Sequence, residues 1–117
     1  METFSGKISA LAVLGVSILL LAGCPRRQNI ALINHEPGRF GGREITIAGR
    51  VVNSFGVMGE GAFELDDGTG RMWVFSEKYG IPGRDAGLAV TGRVQQTFSI
   101  GGRHFPIILR ETRPPRY

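Results

Sequence analysis

Cysteine is almost missing from this chain of 117 residues. Cys24 is the only one, so no internal disulfide can staple the fold. Histidine is scarce as well, and neither His35 nor His104 sits in an HxxxH or HExxH spacing, which removes the usual zinc-ligand patterns. Asp66-Asp67 lacks the alternating oxygen ligands of a calcium loop and precedes Gly68-Thr69-Gly70, so it is read as serving a turn. Ser54, Ser76 and Ser99 lie in no nucleophile elbow. Gly56, Gly59 and Gly61 do not stand between a strand and a helix, which leaves a phosphate-cradling loop unsupported. A chain this short of chemistry is expected to be no enzyme and to need no cofactor or metal. Lysine is nearly absent too. Twelve of the fourteen basic residues are arginine, and the formal charge is +4. That balance describes either a solvated, arginine-biased surface or one that attracts phosphates and acidic polymers.

What the chain does have is 18 glycines, six prolines and 42% hydrophobic residues. This is the composition of a turn-rich β fold with a real core, since a disordered tail would be poorer in Val, Ile and Phe. The length allows one domain.

The longest apolar run, Ile8 to Ala22, is shorter than the ~20 residues a helix needs to span a bilayer. Lys7 precedes it, and it ends in Leu21-Ala22-Gly23-Cys24. A base, a short apolar stretch and small residues before a cysteine resemble a bacterial lipoprotein signal peptide with its lipobox. The resemblance implies a leader over 1–23, removed during export, and Cys24 as the lipidated first residue of the mature protein. Acyl chains such as palmitate on Cys24 would fix the chain to the membrane, at about 0.8 kcal/mol per buried methylene. Pro25 stands where proteobacterial lipoproteins retained at the inner membrane typically carry Asp, so the periplasmic face of the outer membrane is expected if the cell is diderm. Residues 24–29 are read as a tether, with Arg26 and Arg27 at the headgroups.

Beyond the tether, Ile30 to Glu36 suggests one or two turns of helix, stopped by Pro37-Gly38. Glu44 to Asn53 alternates, with Ile45, Ile47, Gly49 and Val51 on one face, which predicts a half-buried strand. A glycine-rich loop over 56–61 follows, then a second strand over 62–66 and the hairpin signal Asp67-Gly68-Thr69-Gly70. The third strand is Arg71 to Ser76. A broken connection over 77–87 leads to a fourth strand over 88–96 and a fifth over 103–110, and Pro114-Pro115 is expected to end the order, leaving 114–117 as a tail. Ile47-Ala48-Gly49-Arg50-Val51 is echoed by Val90-Thr91-Gly92-Arg93-Val94. Glycines inside two long strands mark bends, as a small closed barrel requires.

The succession of helix, Phe40-Gly41-Gly42-Arg43-Glu44-Ile45-Thr46-Ile47-Ala48-Gly49-Arg50-Val51, Leu65-Asp66-Asp67-Gly68-Thr69-Gly70-Arg71-Met72-Trp73-Val74, Pro-bearing connection and Val90-Thr91-Gly92-Arg93-Val94 resembles the OB-fold family of the anticodon-binding, nucleic-acid type, and also the secreted bacterial OB-fold proteins of the cell envelope. The resemblance spans 30–112. It implies an all-β, five-stranded Greek-key barrel over 30–113 with a short N-terminal helix. Members of the anticodon type stack bases on outward aromatic residues of the second and third strands, so the resemblance makes Trp73 and Phe75 beside Arg71 a candidate ligand face, with Arg50 and Arg93 from the echoed strands. The alternative is that the helix over 30–36 covers Trp73 and Phe75, and that packed arrangement is the one expected. Two functions follow. One is an envelope module, membrane-anchored through Cys24, that contacts a protein or glycan. The other is a single-stranded nucleic-acid-binding domain, disfavoured by an extracytoplasmic address. A purely structural envelope protein is a third.

The lipobox reading is directly testable. Cys24→Ser should abolish both membrane retention and labelling by a fatty-acid probe, whereas equal labelling of mutant and wild type would refute it.

Overall fold

The computed structural model describes residues 26–57 and 60–117. The leader over 1–23 and the lipidation site Cys24 lie outside the described residues. Five strands form one closed barrel in the order β1-β2-β3-β5-β4: β1 Glu44–Val57, β2 Glu60–Asp66, β3 Arg71–Ser76, β4 Gly87–Ile100 and β5 Arg103–Glu111. All neighbouring pairs are antiparallel except β3 with β5. This is an all-β, OB-like fold. β3 coincides with the strand read from the sequence. The others run longer, and the expected loop over 56–61 shrinks because Gly56 pairs with Gly61 and Val57 with Glu60.

Closure rests on β1 and β4, each of which serves two neighbours in succession. β1 pairs with β4 through Glu44–Arg50, then with β2 from Arg50 onward. β4 pairs with β1 through Gly87–Arg93, then with β5 from Gly92 onward. The echoed glycines stand at these two changes of partner. A Cβ on Gly49 would lie 2.5 Å from the Asp66 carbonyl oxygen, and one on Gly92 would lie 2.4 Å from that of Arg110. The neighbouring backbones approach so closely there that only glycine fits.

Inside the barrel, Ile45, Ile47, Val51, Phe63, Leu65, Met72, Val74, Val90, Val94 and Leu109 form one buried cluster. Its inward positions follow the strand alternation expected of a half-buried sheet. The N-terminal helix plugs one end. It is two short helices rather than one, α1 Ile30–His35 and α2 Pro37–Phe40, because Pro37 begins a new helix at its first turn, where no N–H is needed. Ile30 and Ile33 of α1 and Phe40 of α2 are buried against the barrel interior, and burial of each isoleucine contributes about 1.5–3 kcal/mol.

The β2–β3 turn holds α1 in place. Asp67 accepts from the Ile30 N–H at 2.9 Å, Thr69 Oγ1 from the Ala31 N–H at 3.1 Å and Asn29 from the Leu32 N–H at 2.8 Å. Three donors that a helix N-terminus leaves unpaired are thus satisfied, two of them by a turn 37 and 38 residues away. The same Asp67 accepts from the Thr69 and Gly70 N–H groups, so one carboxylate shapes the turn and caps the helix.

The segment before α1 and the C-terminal segment both depart from the sequence reading. Arg26 to Gln28 is no free tether, because Gln28 donates to the Thr46 carbonyl at 2.8 Å and Thr46 to that of Arg26 at 3.0 Å. Nor does Pro114-Pro115 end the order: Arg116 exchanges backbone hydrogen bonds of 2.9 and 2.7 Å with Ala89. These segments sit where β1 has not yet met β2 and β4 has not yet met β5, and so they occupy edges that would otherwise be unpaired.

Gly49→Ala and Gly92→Ala should each cost about 1–3 kcal/mol of stability. At Gly38 and Gly83 an added Cβ meets nothing within 4 Å, so alanine there should leave the melting temperature nearly unchanged. Thermal melts of the four variants check the contrast.

Candidate functional site

The outer surface of β3 carries the site. Strict alternation along β1 would place Phe55 inside with Val51, but a bulge intervenes: Val51 pairs with Leu65, and Asn53, not Val52, pairs with Glu64. One extra residue reverses which face each later side chain takes. Phe55 is thereby turned outward, opposite Ala62, which is itself opposite Phe75. The second contribution comes from the β4–β5 hairpin. Its ladder is interrupted between Gln96↔Ile107 and Phe98↔Phe105, at Thr97 with φ 59° and at Pro106, which has no N–H to give. Beyond this point Phe98 and Phe105 lie over the outer face of β3.

The result is a second apolar cluster outside the barrel. Phe75, Ile100, Phe105 and Ile108 are buried in it, with Phe55, Trp73 and Phe98 half-buried at its margin. Trp73 meets Phe55 edge-on with ring centroids 5.6 Å apart and Phe105 at 5.4 Å, while Phe55 and Phe105 stack at 6.1 Å. Phe75 packs on Phe98 at 4.9 Å. The Arg103 guanidinium stands over three of these rings, 4.8 Å from Phe55, 5.3 Å from Trp73 and 5.9 Å from Phe105.

Trp73 and Phe75 do point outward, as the alternation of β3 predicts, and they are packed, but not beneath the helix. Phe55 and the β4–β5 hairpin cover them, whereas α1 touches β3 further back, where Asn34 donates to the Arg71 carbonyl at 2.9 Å. Arg71 does not join the aromatic group. It pairs with Asp66 at 3.1 Å, in a row that runs Arg50–Asp66–Arg71 across β1, β2 and β3. Arg93 lies on β4 in a different row, between Glu44 and Arg110, and donates to the Gly42 carbonyl at 2.9 Å. Of the five residues read from the sequence, Arg71, Trp73 and Phe75 alternate onto the outer side of β3 and Arg50 stands in the row of Arg71, but the arginine over the aromatic rings is Arg103 and not Arg50, Arg71 or Arg93. The sequence reading does not place Phe55, Phe98, Arg103 and Phe105 on this face, although it offers one signal: four of the seven phenylalanines fall in or beside the two long hairpins. The histidines lie apart, His35 exposed at the end of α1 and His104 exposed beside Ser99 at 3.3 Å.

Among the described residues, three carboxyls have displaced acidities. The Gly68 N–H and then Arg71 hold Asp66 below the usual carboxylate range. Burial pushes Asp67 up, but the Thr69 hydroxyl and the N–H groups of Ile30, Thr69 and Gly70 outweigh it, so its acidity is also strengthened. Glu111 moves the other way: it is buried, which raises its pKa, and the Ser76 hydroxyl, donating at 2.8 Å, offsets this only in part.

Comparison with solved structures returns the same barrel. Two OBodies, each bound to hen egg-white lysozyme, are 16% identical to this chain with a TM-score of 0.52; the matches cover 67% of this chain and 83% and 82% of theirs. An asparaginyl-tRNA synthetase from Pyrococcus horikoshii, complexed with asparaginyl-adenylate, is 17% identical with a TM-score of 0.50, over 62% of this chain and 18% of that one. These likenesses are of fold. No protein-family model and no curated protein matches the chain.

Glu111 supplies a pH test. Its raised folded-state pKa means that its contribution to stability is full below the unfolded value and is lost as pH rises through the folded one. Glu111→Gln retains an acceptor for Ser76 and cannot ionise. Its melting temperature should exceed that of wild type at pH 7–8, and the two should converge toward pH 4, as melts across that range will show.

Proposed function

We propose that this protein is a non-enzymatic OB-fold binding module of the bacterial cell envelope, anchored through lipid at Cys24, which uses the aromatic cluster on β3 to hold a protein partner. The observation that carries the choice of site is Arg103 lying over Phe55, Trp73 and Phe105 at the exposed margin of that cluster. Aromatic residues and arginine, part-buried and close-packed, are the side chains that dominate protein–protein recognition. The face lies between the β1–β2 and β4–β5 hairpins, where OB barrels commonly receive ligands. A lipobox directly after a short apolar leader supports the address. On that reading the site is the periplasmic face of the outer membrane in a diderm cell.

Nucleic-acid binding is the weaker reading on geometric grounds. A base needs an open ring face to stack on. Here the rings meet one another, and Arg103 stands over three of them, so a base would compete with the guanidinium for those faces. A glycan that stacks on aromatic rings meets the same obstacle.

The test uses a photo-crosslinking residue at exposed Asn53, which alternation puts on the same outer side as Phe55, in the full chain in its native membrane. A protease-sensitive adduct should form and should disappear with Arg103→Glu. In parallel, a short single-stranded oligonucleotide should leave Trp73 fluorescence unchanged. Salt-sensitive quenching of Trp73, with no protein adduct, would replace this proposal with the nucleic-acid one.

A further inference from the structure

On the side of the barrel away from the aromatic cluster, the fold gathers basic residues that are far apart in sequence. The segment before α1 and the C-terminal segment pair with the free edges of β1 and β4. Arg27 comes from the first, Arg116 and Tyr117 from the last, and Arg50 from β1. They line two adjoining grooves of about 500 and 660 Å³ that share Arg27, Ala89 and Arg116. The floor is small and uncharged, including Ala48, Gly49, Thr46 and Thr91. Among the described residues, Arg27, Arg50 and Arg116 enter no ion pair. Arg113, at the wall of the second groove, is held by Glu44 at 3.0 Å. Two carboxylates also line the first groove: Asp66, which is paired with Arg71, and Asp67, which accepts from the turn and the helix N-terminus. The three arginines outnumber the acids there, and among the described residues the second groove has no carboxylate in its lining. Tyr117 is 80% exposed, the most exposed large apolar side chain among the described residues.

We infer that this β1–β4 face is a membrane-docking surface whose occupants are the anionic headgroups of the bilayer that holds the chain. The inference rests on the anchored reading above and goes further by assigning an orientation. Two peptide units separate Cys24 from Arg26, which limits their Cα–Cα distance to about 7 Å. Arg26 is itself hydrogen-bonded to Thr46, on the floor of the second groove. Acyl chains on Cys24 would therefore place the groove at headgroup level. There, arginines gain from the negative surface potential, and a tyrosine ring sits well between water and hydrocarbon. In a ring ordered β1-β2-β3-β5-β4, the β1–β4 seam lies opposite β3. Docking by this face turns the aromatic cluster away from the membrane, toward partners in solution.

Arginine footprinting with phenylglyoxal on the full chain, purified from membranes and reconstituted, tests this. One set of vesicles is phosphatidylcholine alone and the other contains phosphatidylglycerol. On anionic vesicles, modification of Arg27, Arg50 and Arg116 should slow by about fivefold or more, the factor expected for one arginine at such a surface, and high salt should reverse it. Arg103, on the opposite side, should react equally on both. Equal rates at the three groove arginines on the two vesicle types would overturn the proposal. So would protection of the same three by a free single-stranded oligonucleotide without any vesicle effect, which would make this a nucleic-acid surface. The intact mass separates the two readings. Acylated Cys24 with unprotected arginines removes the docking face and keeps the anchor, while unacylated Cys24 with protected arginines removes the anchor and keeps the face.

Discussion

The close approach of backbones at Gly49 and Gly92 is the constraint on which this barrel depends. Five strands can close only if two of them change partners along their length, and a strand that does so must coil sharply. The carbonyls of Asp66 and Arg110 come so near the inner side of β1 and β4 that a single methyl group would collide with each. Much else follows from this geometry. Each long strand has one stretch in which its second neighbour has not yet arrived, and the segment before α1 and the C-terminal segment fill those stretches. Arg26–Gln28 and Arg116 are ordered for that reason, despite an arginine pair at one end and two prolines at the other.

Closure also sorts the molecule into an inside and two opposed outer faces. The inside is filled by the alternating apolar residues of the strands and sealed at one end by α1. That seal depends on Asp67, whose carboxylate organises its own turn and accepts from the first N–H of the helix. The turn and the plug are therefore one cooperative unit, although the chain between them includes two strands. On the outside, β3 faces one way with its aromatic cluster and the β1–β4 seam faces the other with its arginines. A barrel of this size has room for two opposed surfaces because its core takes up only one face of each strand.

The aromatic cluster itself depends on two local irregularities. The bulge at Val52 turns Phe55 out of the barrel, and the interruption at Thr97 and Pro106 lets the β4–β5 hairpin lie over β3. A regular pair of hairpins would have left Trp73 and Phe75 as open ring faces. The irregular pair clothes them and brings Arg103 across a separation of 48 residues to Phe55. A surface that could have been a stacking platform becomes a packed aromatic–arginine patch.

By itself the sequence determined whatever depends on near neighbours: the period-two strands, the Asp67-Gly68-Thr69-Gly70 turn, the outward aim of Trp73 and Phe75, and the glycines of the two echoed strands. Alternation, turn chemistry and the lack of a side chain all act within a few residues, so they can be read in order along the chain. Tertiary structure decided the rest. Nothing in its flanking residues marks Val52 as the bulged position, since the same apolar and polar residues would satisfy a regular strand. Nor does local pattern reveal that Arg103, rather than Arg71, meets Trp73, because Arg71 is taken by the Asp66 of the adjacent strand. The gathering of Arg27, Arg50 and Arg116 was invisible for the same reason. They converge only because closure leaves two strand edges free, and the backbone groups of those edges must find partners.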